Sequence, residues 1–195
     1  MGAARGAGRP RSAEKDQAIL RAALELLASQ GYVRMTLDQV ALAAGVSKST
    51  IHLRWKSKGN LVTAALESIR MVQAPLASGD TAADLTAVLE DFASTVTRVR
   101  GMALIGTCLA EEAHTPELMA MLRERTVLPR RALLREVLER ARARGEIRAD
   151  SDLEAAVSGL LGPFYADYMA GRTGRAGWAR QAVDLTLAGL RPPTA

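Results

Sequence analysis

The sequence predicts an all-α protein in two parts, a small N-terminal unit of three helices followed by a larger helical body. Three observations predict it. The 195 residues are rich in Ala, Leu, Arg and Glu and only 4% aromatic, a composition that packs helices through small and aliphatic side chains. Apolar residues recur at i, i+3, i+4 and i+7 through nearly every segment, and no segment needs to be a strand. The charge is divided, since residues 1–60 carry ten Lys and Arg against four acids, whereas residues 61–195 carry sixteen against seventeen.

Residues 1–12, built of Gly, Ala, Arg and Pro without apolar period, read as a basic disordered arm with Arg9 and Arg11 at its end. A helix over 13–30 follows, with Ile19, Ala22, Ala23, Leu26 and Leu27 on one stripe and Gly31 as its stop. Thr36 reads as the N-cap of a second helix whose Leu37, Val40, Ala41 and Ala44 share a face. Gly45 supplies a sharp turn, and Ser47 caps a third helix over 48–55. In that helix Ile51 and Trp55 turn inward with Val46, while Lys48, Ser49, His52 and Leu53 share the outer side.

A longer helix over 57–73, ended by Pro75, follows, then helices over 81–98 and 102–112. Another starts at Thr115 and Pro116 and extends toward Arg144, kinked or split by Pro129 and ended by Gly145. Asp150 or Ser151 is the expected cap of the next helix. It carries large residues (Leu153, Val157, Leu160, Leu161, Phe164, Tyr168) on one stripe and small ones (Ala155, Gly159, Gly162, Ala166) on another. The final helix, over 177–190, is apolar on two sides, through Trp178, Ala182 and Leu185 and through Val183, Leu187 and Leu190. Such a helix needs partners on both sides, so Val157, Leu161, Trp178 and Leu185 are expected at a subunit interface.

A short capped helix that presents basic and polar groups outward, joined by a tight turn to the helix before it, is a helix-turn-helix over about 36–55. The surplus charge around it points to a polyanion, and double-stranded DNA fits that geometry. The expected organisation is therefore an arm over 1–12, a DNA-binding domain over 13–60 and a body over 61–195. Lys48 is placed near base edges and Arg54 nearer phosphate. His52 is read as a phosphate donor, with base reading or plain surface exposure as alternatives. Trp55 is read as core rather than a stacking platform.

The stretch from Met35 to Lys58, above all AGVSKST over 44–50 and RWKSK over 54–58, resembles the DNA-binding signature of TetR-type transcriptional regulators. Pro129-Arg-Arg131, Gly145-Glu146 and Gly162-Pro-Phe-Tyr165 resemble one ligand-sensing body found in bacterial members. The resemblance implies a homodimer, a small-molecule pocket in the body, and release of a palindromic operator when the pocket fills. It carries DNA contacts over to Thr36, Ser47, Lys48, Ser49, Thr50, His52, Arg54 and Lys58, with Leu53 beside them. His52 and Leu53 depart from the family pattern, which has a tyrosine at the first position and commonly a polar or aromatic group at the second.

Met102, Cys108, Met119, Met121, Phe164, Tyr165, Tyr168 and Trp178 are candidates to line an effector cavity, although residues of these types are more often plain core. The single cysteine implies no disulfide, and the lack of a signal-peptide pattern or a long apolar run leads us to expect a soluble cytoplasmic protein with no membrane partner. No phosphate loop, nucleophile elbow or HExxH is present, and Glu111, Glu112 and His114 diverge around a helix. No enzyme, metal or cofactor is expected. A repressor released by a small apolar ligand is the leading reading; an effector-free DNA-binding dimer, an activator and an enzyme with a DNA-binding arm are its rivals.

Overall fold

A computed structural model describes residues 9–69 and 78–192, with side chains from residue 13 onward. Among the described residues there are ten α-helices and no strand. The described residues divide into two compact units: residues 9–69 with 96–126, and residues 78–95 with 127–192. These packing units cross the domain boundary expected at residue 60.

In the first unit, α1 (Arg9–Gln30) is the hub, packed against α2 (Leu37–Ala43), α4 (Lys58–Glu67) and α6 (Gly101–Glu111). Three neighbours need a wide apolar face. Leu24 and Ala28 are accordingly buried beside the predicted Ile19, Ala22, Ala23 and Leu27, while Leu26 is only half-buried. α3 (Lys48–Arg54) rests on α2, and α7 (Pro116–Leu122) packs on α6 and α4. Leu61, Val62, Leu66, Leu104, Cys108 and Leu118 complete this core. Each fully buried leucine contributes roughly 1.5–3 kcal/mol of apolar transfer.

The second unit contains most of α5 (Thr81–Arg98), with α8 (Leu128–Ala143), α9 (Leu153–Met169) and α10 (Trp178–Leu190). α9 lies between α8 and α10, burying Leu153, Val157, Leu160 and Leu161, while Leu134, Val137 and Leu138 come from α8 and Val183 from α10. Phe92 of α5 meets α9 edge-on, its ring centroid 4.8 Å from that of Phe164 and 5.8 Å from that of Tyr165.

Three local departures from the sequence reading have physical causes. α1 begins at Arg9, inside the segment read as a disordered arm, because Pro10 near a helix start costs no hydrogen bond. The side chains of Arg9 and Arg11, and residues 1–8, lie outside the described residues, as does the stop at Pro75. The expected split near Pro129 is a π-helical turn over Arg123–Val127, which widens the backbone where a proline with no N–H would clash with the preceding turn. The cap of α9 is Asp152, not Asp150 or Ser151; its carboxylate accepts from the backbone N–H of Glu154 at 2.9 Å and of Ala155 at 3.0 Å.

Candidate DNA-binding surface and helical body

The turn between α2 and α3 follows from Gly45, whose φ of +64° suits glycine, and from two caps. At α2 the Thr36 hydroxyl accepts from the Gln39 N–H at 3.2 Å, and the Gln39 side-chain oxygen accepts from the Thr36 N–H at 2.8 Å. This reciprocal box satisfies two backbone donors at the helix start. At α3 the Ser47 hydroxyl accepts from the Thr50 N–H at 3.3 Å and lies 2.9 Å from the hydroxyls of both Ser49 and Thr50. Ile51, fully buried, anchors the helix from below. Trp55 and Val46 are half-buried, so both lean on the core without being sealed in it.

The outer face of α3 stands in solvent. Ser47, Lys48, Ser49, His52 and Leu53 are all exposed, and Leu53 keeps 86% of its surface open. Lys48 pairs with Asp38 in the first turn of α2, an exposed ion pair that a phosphate or base can displace at little cost. Asp38 was not singled out by the sequence reading, although its place ten residues before Lys48 was visible. Arg54 is turned partly inward: its Nε lies 2.5 Å from the Asp16 carboxylate on α1, and its Nη1 donates to the Thr50 carbonyl at 3.4 Å.

Lys58, expected beside a phosphate, is engaged within its own unit. Its ammonium donates to the carbonyls of Tyr32, Val33 and Met35 at 2.8, 3.4 and 3.2 Å and lies 4.4 Å from the Tyr32 ring centroid. An ammonium has three N–H donors, enough for the three carbonyls of the turn between α1 and α2. From the other side the Glu111 carboxylate of α6 accepts from the Tyr32 N–H at 3.2 Å. Gly31 makes room for that contact, because a Cβ added there would lie 2.2 Å from a Glu111 oxygen, and its φ is +83°. A cation on α4 and an anion on α6 thus hold the same turn.

Residues 19–65 match the family described as bacterial regulatory proteins, tetR family, and residues 75–186 match the tetracyclin repressor-like C-terminal domain. The chain belongs to the TetR family. A helix-turn-helix-type transcriptional regulator of Mycobacterium bovis is 35% identical over 156 residues, which is 80% of this chain and 74% of that protein. YdeS of Bacillus subtilis, of the same type, is 30% identical over 162 residues, covering 81% and 80% of the two chains. Among solved structures, a TetR family transcription regulator 30% identical in sequence superposes with a TM-score of 0.62 over 92% of this chain and 100% of its own. TetR-family proteins are DNA-binding transcriptional regulators, which sets the outer face of α3 in its functional context.

The candidate effector-lining residues divide between the two units. Met102, Cys108, Met119 and Met121 belong to the first; Cys108 is fully buried, and burial, with Glu111 nearby, pushes its thiol up to about 12. Phe164, Tyr165 and Tyr168 belong to the second, where Phe164 also meets Trp178 at 5.4 Å and Tyr168 is exposed. None of them lines the open cleft of about 590 Å³ between Thr81, Glu146, Ile147, Leu187 and Arg191. There the Glu146 carboxylate accepts from the Thr81 hydroxyl at 2.6 Å and pairs with Arg144 at 2.5 Å, which holds it below the usual carboxylate range.

The structure also takes Val157 out of the expected subunit interface, since it is completely buried within its own protomer, and Leu161 is nearly so. The large-residue stripe of α9 fills the core, which leaves the small-residue stripe facing out: Ala155, Gly159 and Ala166 are exposed. Leu185 and Met169, 76% and 81% exposed, add apolar surface on α10 and α9, and Trp178 is half-buried. Among the described residues no helix is long and apolar enough to cross a membrane, and no group of three or more metal-ligating side chains converges.

Proposed function

We propose that this chain is a homodimeric, cytoplasmic repressor that binds a palindromic operator through α2 and α3 and leaves it when a small molecule enters the C-terminal domain. The outer face of α3 carries the reading: Lys48, Ser49, His52 and Leu53 are exposed together on a helix anchored by Ile51 and capped by Ser47. Lys48 and Ser49 lie in the first turn, where side chains of a recognition helix reach base edges. Leu53 offers an apolar surface to a thymine methyl, and His52, Thr36 and Thr50 offer hydrogen-bonding groups to phosphates. Arg54 supports phosphate contact from the rim, and Lys58 positions the turn behind the reading head.

The outward small residues of α9, with Leu185 and Met169, support dimerisation through α9 and α10, because small side chains let helices approach closely and large exposed apolar ones need covering. Release is proposed to work through the turn at residues 31–35, held by Lys58 of α4 and Glu111 of α6. A ligand that favours a different setting of those helices shifts the reading head, provided it binds the two states with different affinity.

Selection of bound fragments from genomic DNA tests this function. The expected result is an imperfect palindrome with half-sites about one helical turn apart, roughly 34–36 Å, and expression that rises from the neighbouring promoter when the protein is removed. Fragments without two-fold symmetry, or expression that falls on removal, contradict the operator or the repressor assignment. Light scattering should report twice the 20.8 kDa chain mass, and Leu185→Glu should return it to that mass.

A further inference from the structure

Arg130 is the most unusual ionisable group in the second unit. It stands at the third residue of α8, inside the Pro-Arg-Arg segment that the DNA-binding reading leaves unused, and only 4% of its surface is exposed. Its guanidinium lies over the Phe92 ring, 4.7 Å from the centroid. Burial lowers its affinity for the proton, while Asp91 and Tyr165 act in the opposite direction from nearby. Two of its nitrogens, Nε and Nη2, are buried and find no hydrogen-bond acceptor among the described residues.

Those two nitrogens are not an arbitrary pair. Nε and Nη2 form one side edge of the planar guanidinium, whose parallel N–H bonds match the two oxygens of a carboxylate. A buried charged donor edge without an acceptor is costly, and folded proteins seldom keep one without a use. Aromatic side chains lie beside it. Phe92, Phe164 and Tyr165 pack edge to face with centroids 4.8–5.8 Å apart, and Trp178 lies 5.4 Å from Phe164. Burial keeps the Tyr165 phenol protonated, so its O–H remains a donor. Along α9, Arg131 of α8 reaches Ser158 at 3.2 Å, and Gly162 lies between Ser158 and Tyr165 on the same face; a Cβ added at Gly162 meets nothing within 4 Å.

We propose that the second unit binds an organic carboxylate with an apolar or aromatic body, its two oxygens on the Nε–Nη2 edge of Arg130 and its body against Phe92, Phe164, Tyr165 and Trp178. This rests on the effector reading above and deepens it from any apolar compound to an anion. Association also relieves the unpaired charge, so ligand and fold stabilise each other.

The test uses the full-length protein, a panel of carboxylates (benzoate, cinnamate, 3-phenylpropionate, octanoate, decanoate) and the primary amide of each. Melting temperature and operator binding by fluorescence anisotropy are both read. At least one carboxylate is expected to raise the melting temperature by several degrees, with its amide about tenfold or more weaker, because the amide cannot place two anionic oxygens on the fork. Arg130→Met should remove that preference while leaving the ligand-free protein as stable or more so, since it replaces an unpaired buried charge by an apolar chain. Arg130→Lys, which keeps charge but not the fork, should also lose it. Silence of every carboxylate at millimolar concentration, equal binding of acids and amides, a preference that survives in Arg130→Met, or a ligand-free Arg130→Met protein that melts far lower would each overturn the proposal. The anisotropy separates the two layers. Carboxylates that bind through Arg130 without loosening the operator leave the anion site standing and remove the effector reading. A neutral compound that loosens the operator while every carboxylate fails does the reverse.

Discussion

Leu53 in α3 leaves 86% of its surface in solvent, and Arg130 in α8 leaves 4%. The first is an apolar side chain held outward, the second a charge held inward, and each breaks the ordinary rule for its residue type. In the first unit the exposed chemistry is concentrated on one seven-residue helix whose support is local: a cap at Ser47, a turn at Gly45 and the anchor Ile51 all lie within ten residues. In the second unit the unusual group is assembled from residues far apart in sequence, with Phe92, Arg130, Tyr165 and Trp178 on four different helices. Surface recognition can be built by a short stretch of chain, whereas an internal site exists only after distant helices have packed.

This contrast fixes the largest expected effects. Ile51→Ala and Leu160→Ala each empty a completely buried position, one in each unit, and each should destabilise the protein by about 2–5 kcal/mol. The two should part company on DNA. At temperatures where both variants remain folded, Ile51→Ala is expected to lose operator affinity because α3 loses its anchor, and Leu160→Ala to keep most of it. Melting curves paired with anisotropy check this, and equal operator losses would erase the distinction between the units.

A smaller effect is expected at Lys58. Lys58→Met removes three donors from the carbonyls of Tyr32, Val33 and Met35 and should lower stability by about 1–3 kcal/mol. The slope of log affinity against log salt should stay that of the parent protein, since no phosphate contact is lost. A slope reduced by about one unit, with stability unchanged, would return Lys58 to the DNA-contacting set. Smaller still, Ser47→Ala should cost about 0.5–2 kcal/mol by uncapping α3. Its measurable sign is a loosened first turn, seen as faster amide exchange at Thr50, whose N–H the serine accepts.

How much of this was legible in the sequence follows the same division. The helices, the caps at Thr36 and Ser47, and the exposed face of α3 could be read because each depends on spacing within a few residues. The bonds of Lys58 to the turn between α1 and α2 were not legible for the opposite reason: their acceptors lie 23 to 26 residues earlier. Val157 was misjudged because periodicity shows that a stripe is apolar but not whether its own protomer or a partner covers it. Arg130 was visible as a residue of the Pro-Arg-Arg segment, yet nothing local distinguishes it from Arg131, which pairs with Glu154 near the surface. One residue of offset on a helix turns a side chain by about 100°, and here that separates an ion pair from a buried, unpartnered fork.

The central claim, that the first turn of α3 reads DNA sequence, is tested most directly by Lys48→Ala measured on the selected operator and on random DNA over a range of salt concentrations. The account predicts a loss of about 1–3 kcal/mol on the operator, a smaller loss on random DNA, and relaxed choice at one or two base pairs in each half-site. Equal losses on both DNAs would contradict it, making Lys48 a phosphate contact and leaving sequence choice to Ser49, Thr50 and Leu53 or to the shape of the DNA.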